Sequence, residues 1–290
     1  YPDPIRLTWA METKQVQQIF AKETKHEIDG YILELNIDTE GKTNILVFNK
    51  DDKPIKSVPA SLKKHKLFLE LSNHKKKLNE QFRRSKKSLE EAMIRGDEFT
   101  GSEVANLTQH PVIQKHLSKL VLVSNEEQFF WLSGNQLQDL QGEMHVISEA
   151  QSFRIAHVVD FHRLKQWTDF QRYCFENKLK QPFKQVFREL YIPTADELKE
   201  KSISRRYAGH QVQPSQTLAL LKSRGWKVNY EDGLQKVFHK LGFQVKLYAM
   251  ADWFSPADVE APTLETIEFH SLRDYINIPF EAIEPRIFSE

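Results

Sequence analysis

Cysteine is almost missing from this chain: Cys174 is the single one in 290 residues. An internal disulfide is therefore excluded, and so is a multi-cysteine zinc framework. Glycine is scarce as well, at ten residues, and none sits in a Gly-rich phosphate loop or a Gly-x-Ser-x-Gly elbow. No apolar run reaches the ~18 residues of a membrane-spanning helix. The N-terminus, Tyr1-Pro-Asp-Pro-Ile-Arg-Leu, lacks the basic-then-apolar pattern of a signal peptide. These absences predict a soluble, cytoplasmic, globular protein without a membrane partner. The missing initiator Met and the close at Phe288-Ser-Glu290 are what a piece of a longer protein would show.

What the chain does have is enough apolar sequence for a core and an uneven distribution of charge. Hydrophobic residues make up 40% and charged ones 28%, which supports one or two domains. The formal net charge of +1 conceals two opposed regions. Ten Lys/Arg lie between Lys63 and Lys87 against Glu70 and Glu80, whereas nine carboxylates from Ala249 onward face only Arg273 and Arg286. Such polarity suits an anionic partner or self-association.

Periodicity divides the chain into an α+β succession. Residues 11–23 read as a short helix. Gly30–Asp38 and Thr43–Asn49 alternate as the strands of a hairpin. Beyond a turn at Asp51–Pro54 comes the longest helical signal, in which Leu67, Leu71, Leu78, Phe82, Leu89 and Met93 form a narrow seam that Gly96 ends. We assign this hairpin and helix to a first region, 1–110, and a mixed sheet with packed helices to a second, 111–290. Ser102 is expected to cap a helix near the end of the first; in the second, Pro111 is expected to open another, and Lys119–Val123 and Gln128–Leu132 to pair as strands with Phe129, Phe130 and Trp131 in the core. Phe153–Asp160 reads as a buried strand and Leu164–Cys174 as a helix. The spacing predicts a further helix from Pro182 with Phe183, Val186, Phe187 and Leu190 on its apolar face. Thr194-Ala-Asp-Glu197 has capping-box spacing, and Ser204–Val212 is a loop. Leu220–Val228 and Val237–Val245 each read as helix, Gly, strand, followed by a strand at Leu264–His270 and an acidic, Pro-containing loop at Ser255–Pro262.

Three groups of residues could carry chemistry. Lys75, Lys76, Lys77, Arg83, Arg84, Lys86 and Lys87 wrap most of the long helix and suit contact with nucleic acid or another polyanion; the alternative is a solvated face. Arg188, Glu189, Arg205, Arg206 and His210 could clamp a phosphate or carboxylate; the alternative is an ion-pair network pinning a loop. His157, Asp160 and His162 lie close in sequence, but on a strand His157 and Asp160 would point to opposite faces, and we assign no metal site. The restriction-nuclease letter patterns Asp160 with Glu176-Asn-Lys178 and Asp232 with Gln244-Val-Lys246 are equally unspecific. No catalytic residue and no cofactor follow from the sequence.

One resemblance adds to this reading. Gln181-Pro-Phe-Lys-Gln-Val-Phe-Arg-Glu-Leu-Tyr191, Arg206-Tyr-Ala-Gly209 and Leu221-Lys-Ser-Arg-Gly-Trp226, in that order, resemble the bacterial domain of unknown function 4132 (DUF4132). That domain is found in large proteins similar to the molybdate metabolism regulator, some with WGR or helical-repeat domains. Pro54–Lys63 and Ile287–Glu290 resemble the segments flanking it. The resemblance implies a module of a multidomain protein, with flanking domains as partners, and brings no catalytic residues. The expectation is thus a non-catalytic interaction domain that uses the basic helix, with an enzyme acting on a phosphate-bearing substrate, or a self-association module, as alternatives.

Overall fold

The narrow leucine seam becomes a 30-residue helix. In the structure, a computed structural model that describes residues 25–38, 40–229, 233–250 and 261–290, Lys66–Arg95 is one uninterrupted helix. Two compact units divide the chain after Glu189, the second being Leu190–Glu290. The predicted helix at 11–23 and most of the 255–262 loop lie outside the described residues.

In the first unit, β1 (Lys25–Ile28), β2 (Tyr31–Ile37) and β3 (Thr43–Phe48) form an antiparallel three-stranded sheet. The expected hairpin is β2–β3, and β1 is a strand that sequence reading did not anticipate. Leu33, Leu35 and Val47 are buried together with Leu71 and Leu78 of the long helix. After the short α1 (Ala60–Lys63), the long helix is α2. The His65 side chain accepts from Leu67 N at its start, and Gly96 ends it at φ 69°, where the Gly96 and Asp97 amides close on Met93 and Ala92 carbonyls.

The rest of this unit is a six-stranded antiparallel sheet with helices. Its strands are β4 (Phe99–Thr100), β5 (Val121–Ser124), β6 (Phe129–Ser133), β7 (Gln136–Gln138), β8 (Met144–Val146) and β9 (Ser152–Ile155), in the order β4-β9-β5-β6-β7-β8. Phe129, Phe130 and Trp131 are buried, as expected. Helices α3 (Gly101–Thr108), α4 (Pro111–Leu117), α5 (Val158–Arg163) and α6 (Trp167–Glu176) complete it.

Three local expectations give way. The cap of α3 is Thr100 rather than Ser102, because Glu103 three residues on returns a bond to the Thr100 amide and completes a capping box. The 153–160 strand stops at Ile155: His157 caps α5 and accepts from Val159 N, while Asp160 at the third position accepts from His157 N at 2.8 Å. Finally, no helix follows Pro182. Gln185 bonds Val121 N and O and Ala156 O, Gln181 takes Val186 N, and Trp167 Nε1 donates to Val186 O, so long-range partners hold the backbone of this segment instead of an i to i+4 ladder. Phe183 and Val186 are buried, whereas Phe187, expected in the core, is 50% exposed.

The second unit contains α7 (Ala195–Glu200), β10 (Ile203–Ser204), α8 (Pro214–Ser223), β11 (Lys227–Asn229), β12 (Gly233–Phe238), β13 (Phe243–Met250), β14 (Thr263–Ser271) and α9 (Pro285–Phe288). Its antiparallel sheet runs β10-β14-β13-β12-β11. The first expected helix-Gly-strand unit is present as α8, Gly225 and β11. The second is a hairpin, in which Val237-Phe238 belong to β12 and a single 3-10 turn at His239–Leu241 precedes Gly242 at φ 74°. The fold is α+β, and among the described residues no helix is long and apolar enough to cross a membrane.

Candidate functional site

Helix α2 is fixed against rotation by specific bonds as well as by its apolar seam. Asn79 reads the backbone of Thr43 twice, accepting from its N at 2.9 Å and donating to its O at 3.1 Å. On the other side His116 of α4 stacks on Phe82, with centroids 3.9 Å apart, and its Nε2 donates to Phe82 O at 2.8 Å. His116 is 1% exposed. Burial first, and then the charges of Lys86 and Lys119, push it down to about 4, partly offset by the Phe82 bond, so the ring is neutral near pH 7.

With the seam turned inward, helical geometry of about 100° per residue puts Lys76, Arg83 and Lys87 on one outer stripe, with Lys77 and Arg84 beside it. All five are exposed. Lys75 and Lys86 flank the seam; Lys75 is half-buried and Lys86 exposed. From Lys75 to Lys87 the one carboxylate is Glu80. The next two acids along the helix serve other cations. Glu90 takes Arg188 at 2.9 Å, and Glu91 lies between Lys87 at 3.8 Å and Arg95 at 3.9 Å. Among the described residues, Lys76, Lys77, Arg83 and Lys86 have no carboxylate partner. The first turn of α2 carries no acid, and Lys63, Lys64 and Lys66 stand beside the positive end of the helix dipole, which strengthens the same field.

The second group of predicted residues is divided between the units. In the first, Arg188 is buried, with Nη1 donating to Glu90 and to Lys184 O, and Glu189 is an exposed partner of Lys184 at 2.6 Å. In the second, Arg205 pairs with Glu200 at 2.7 Å. Arg206, Tyr207 and His210 are exposed on the loop after β10. The Arg206 guanidinium lies 5.0 Å from the centroid of the Tyr191 ring, and His210 packs edge-on against Tyr207 at 5.9 Å. Tyr191 donates its hydroxyl to the buried Glu197 at 2.6 Å. Burial and Glu197 raise the Tyr191 phenol above its ordinary range, against the charge of Arg206. Burial also works against ionised Glu197, but bonds from Ser204, Thr194 and Tyr191 outweigh it and leave that carboxyl lowered.

Of the remaining candidates, Asp160 is buried and held bidentately by Arg154, and His157 is a helix cap. Cys174 is buried in the core, and burial pushes its thiol up to about 11, the environment of an inert side chain rather than a nucleophile. Sequence reading missed the hairpin joining β7 and β8, where donor atoms of Asp139, Glu143 and His145 lie within 4.8 Å of one another. There His145 Nε2 meets Asp139 Oδ2 at 2.8 Å and Glu143 N donates to Asp139 Oδ1 at 2.8 Å, so the group is also a self-satisfied turn. An Asp and a His six apart across a tight turn was the available signal.

Residues 53–226, more than half of the chain, match the family described as a domain of unknown function (DUF4132). No curated protein and no solved structure matches the chain.

Proposed function

Because the chain belongs to the DUF4132 family, which carries no assigned activity, we propose a function from its own residues: a non-catalytic interaction domain that contacts nucleic acid or another polyanion through the outward face of α2. The observation that supports it most is the exposed set Lys76, Lys77 and Arg83, which lack carboxylate partners among the described residues on a helix whose rotation Asn79 and His116 fix. A rigid row of cations costs less ordering than flexible ones when it meets regularly spaced phosphates. Lys76 and Arg83 stand seven residues apart, about 10 Å along the axis, a distance a nucleic-acid backbone can match. In this reading the domain works within a larger bacterial protein of the molybdate-regulator type, whose other domains supply any chemistry.

The test is fluorescence anisotropy of labelled DNA and RNA oligonucleotides with the full chain at low salt. Replacing Lys76, Lys77, Arg83 and Arg84 with Glu should weaken binding at least tenfold, and affinity should fall steeply with salt, at a log–log slope of about −3 to −4 if four phosphates are met. Binding that is absent at low salt, or indifferent to the charge reversal, removes the proposal.

A further inference from the structure

We propose that Arg206 and His210, carried on the rings of Tyr191 and Tyr207, form an anion subsite for a phosphomonoester group, a proposal independent of the reading above. The four side chains are contiguous: Arg206 over Tyr191 at 5.0 Å, Tyr191 against Tyr207 at 6.3 Å, and Tyr207 against His210 at 5.9 Å. Arg206 differs from its neighbour Arg205, whose guanidinium is engaged by Glu200. Among the described residues Arg206 forms no ion pair; its planar group rests on the Tyr191 ring and also bonds toward that phenol, which orients the fork and leaves its other N–H groups for a ligand.

This platform is built, not merely exposed. Tyr191 is held at three points: its ring stacks on Phe288 at 5.6 Å, its hydroxyl donates to Glu197, and its amide donates to Ser289 Oγ at 3.0 Å. Glu197 is itself fixed by Thr194 N at 2.9 Å and Ser204 Oγ at 2.5 Å. The loop is pinned at its far end, where Gly209 N donates to Leu264 O and Leu264 N to His210 O, both at 2.9 Å. Gly209 takes φ 82°, a conformation that suits glycine, and so turns the chain sharply between Tyr207 and His210. The His210 Nδ1 donates to Tyr207 O at 3.1 Å, which leaves Nε2 as the nitrogen available to a ligand. An arginine fork that donates and a ring nitrogen that accepts match a monoprotonated phosphomonoester, whose charged oxygens take the fork and whose P–OH can donate to Nε2, better than a carboxylate, which has no proton to give.

Amide chemical shifts of the full chain, titrated with inorganic phosphate, adenosine monophosphate and acetate, test this. Saturable shifts confined to residues 205–211 are expected with both phosphates, and at least fivefold weaker binding with acetate. Arg206→Gln should weaken phosphate binding at least fivefold and Arg205→Gln leave it unchanged. Arg206→Lys keeps the charge but loses the fork, and should resemble Arg206→Gln. Should the Gln variant misfold, His210→Gln, expected to cost about threefold, carries the same test. Shifts that never saturate, equal affinity for acetate, or an Arg206→Lys protein that binds like the wild type would each overturn the proposal; tighter binding of adenosine monophosphate than of phosphate would extend the subsite to a base on the exposed Tyr207 ring.

Discussion

The outward arc of α2 and the 181–189 segment belong to the same unit and both carry basic side chains, yet their polar groups are spent in opposite ways. In 181–189, Gln185 is fully buried and bonded to the backbone of two distant strand ends, and Arg188 is closed in by Glu90 and a main-chain oxygen. On α2, Lys76, Lys77 and Arg83 stand exposed and form no ion pair among the described residues. The difference lies in the backbone. A helix satisfies its own amides and carbonyls, so its side chains are free to face water. An irregular segment inside a core has no such ladder, so its side chains and those around it must do that work. Whether a cation is tied into the fold or left facing water depends here on which backbone carries it.

The largest test of this comparison removes the amide that replaces the ladder. Gln185→Ala leaves Val121 N and Ala156 O without their partner in a dry interior, at roughly 1–3 kcal/mol for each orphaned group plus a small cavity. A loss of about 4 kcal/mol in urea denaturation is expected. A change below about 1 kcal/mol would mean that the 181–189 backbone finds other partners, and the contrast with α2 would dissolve.

A second test asks how the inward side of α2 responds to protons. His116 is held at about 4, below its ordinary 6.5. The unfolded chain therefore binds the proton first as pH falls, and the stability tied to the neutral ring is complete above about 6.5 and lost progressively toward 4. The total is about 3 kcal/mol. It is read as the slope of unfolding free energy against pH, and His116→Phe should flatten that slope between those limits. If the slope is the same in both proteins, His116 is not the buried group that anchors Phe82.

Much of this was legible in the sequence. The seam of α2 and its stop at Gly96 were readable because a repeat of four and seven residues admits only a helix, and the basic arc follows from the same arithmetic. Thr100 was legible in principle, since Glu103 stands three residues on, whereas Ser102 has no such acid. The 181–193 stretch was not: its apolar spacing fits a helix, and the partners that prevent one, Val121 and Ala156, lie 64 and 29 residues away. Val237-Phe-His-Lys-Leu241 similarly fits either period; pairing with β13 makes Val237 and Phe238 strand, and only His239–Leu241 coil, into a 3-10 turn. Of the predicted clamp, Arg206 and His210 could be named, but Tyr191 and Tyr207, which carry them, could not, because aromatic contact between loop and segment is set by tertiary packing.

The smallest expected effect is the sharpest probe of the arc. If the cations of α2 serve a partner, then changing Lys76 and Arg83 to Ser should shift stability by no more than about 0.5 kcal/mol, because an exposed side chain without an ion pair has little to lose on truncation. Relief of repulsion among Lys76, Lys77, Arg83 and Lys87 would push the change toward stabilisation, most visibly at low salt, where charges this close are least screened. Urea denaturation at two salt concentrations measures both. A loss near 2 kcal/mol would show that these side chains hold the helix in place, and the outer face of α2 would then be structural in the same sense as Arg188. A neutral or slightly stabilising result, together with weakened polyanion binding by the same protein, separates the two basic stretches by what they do.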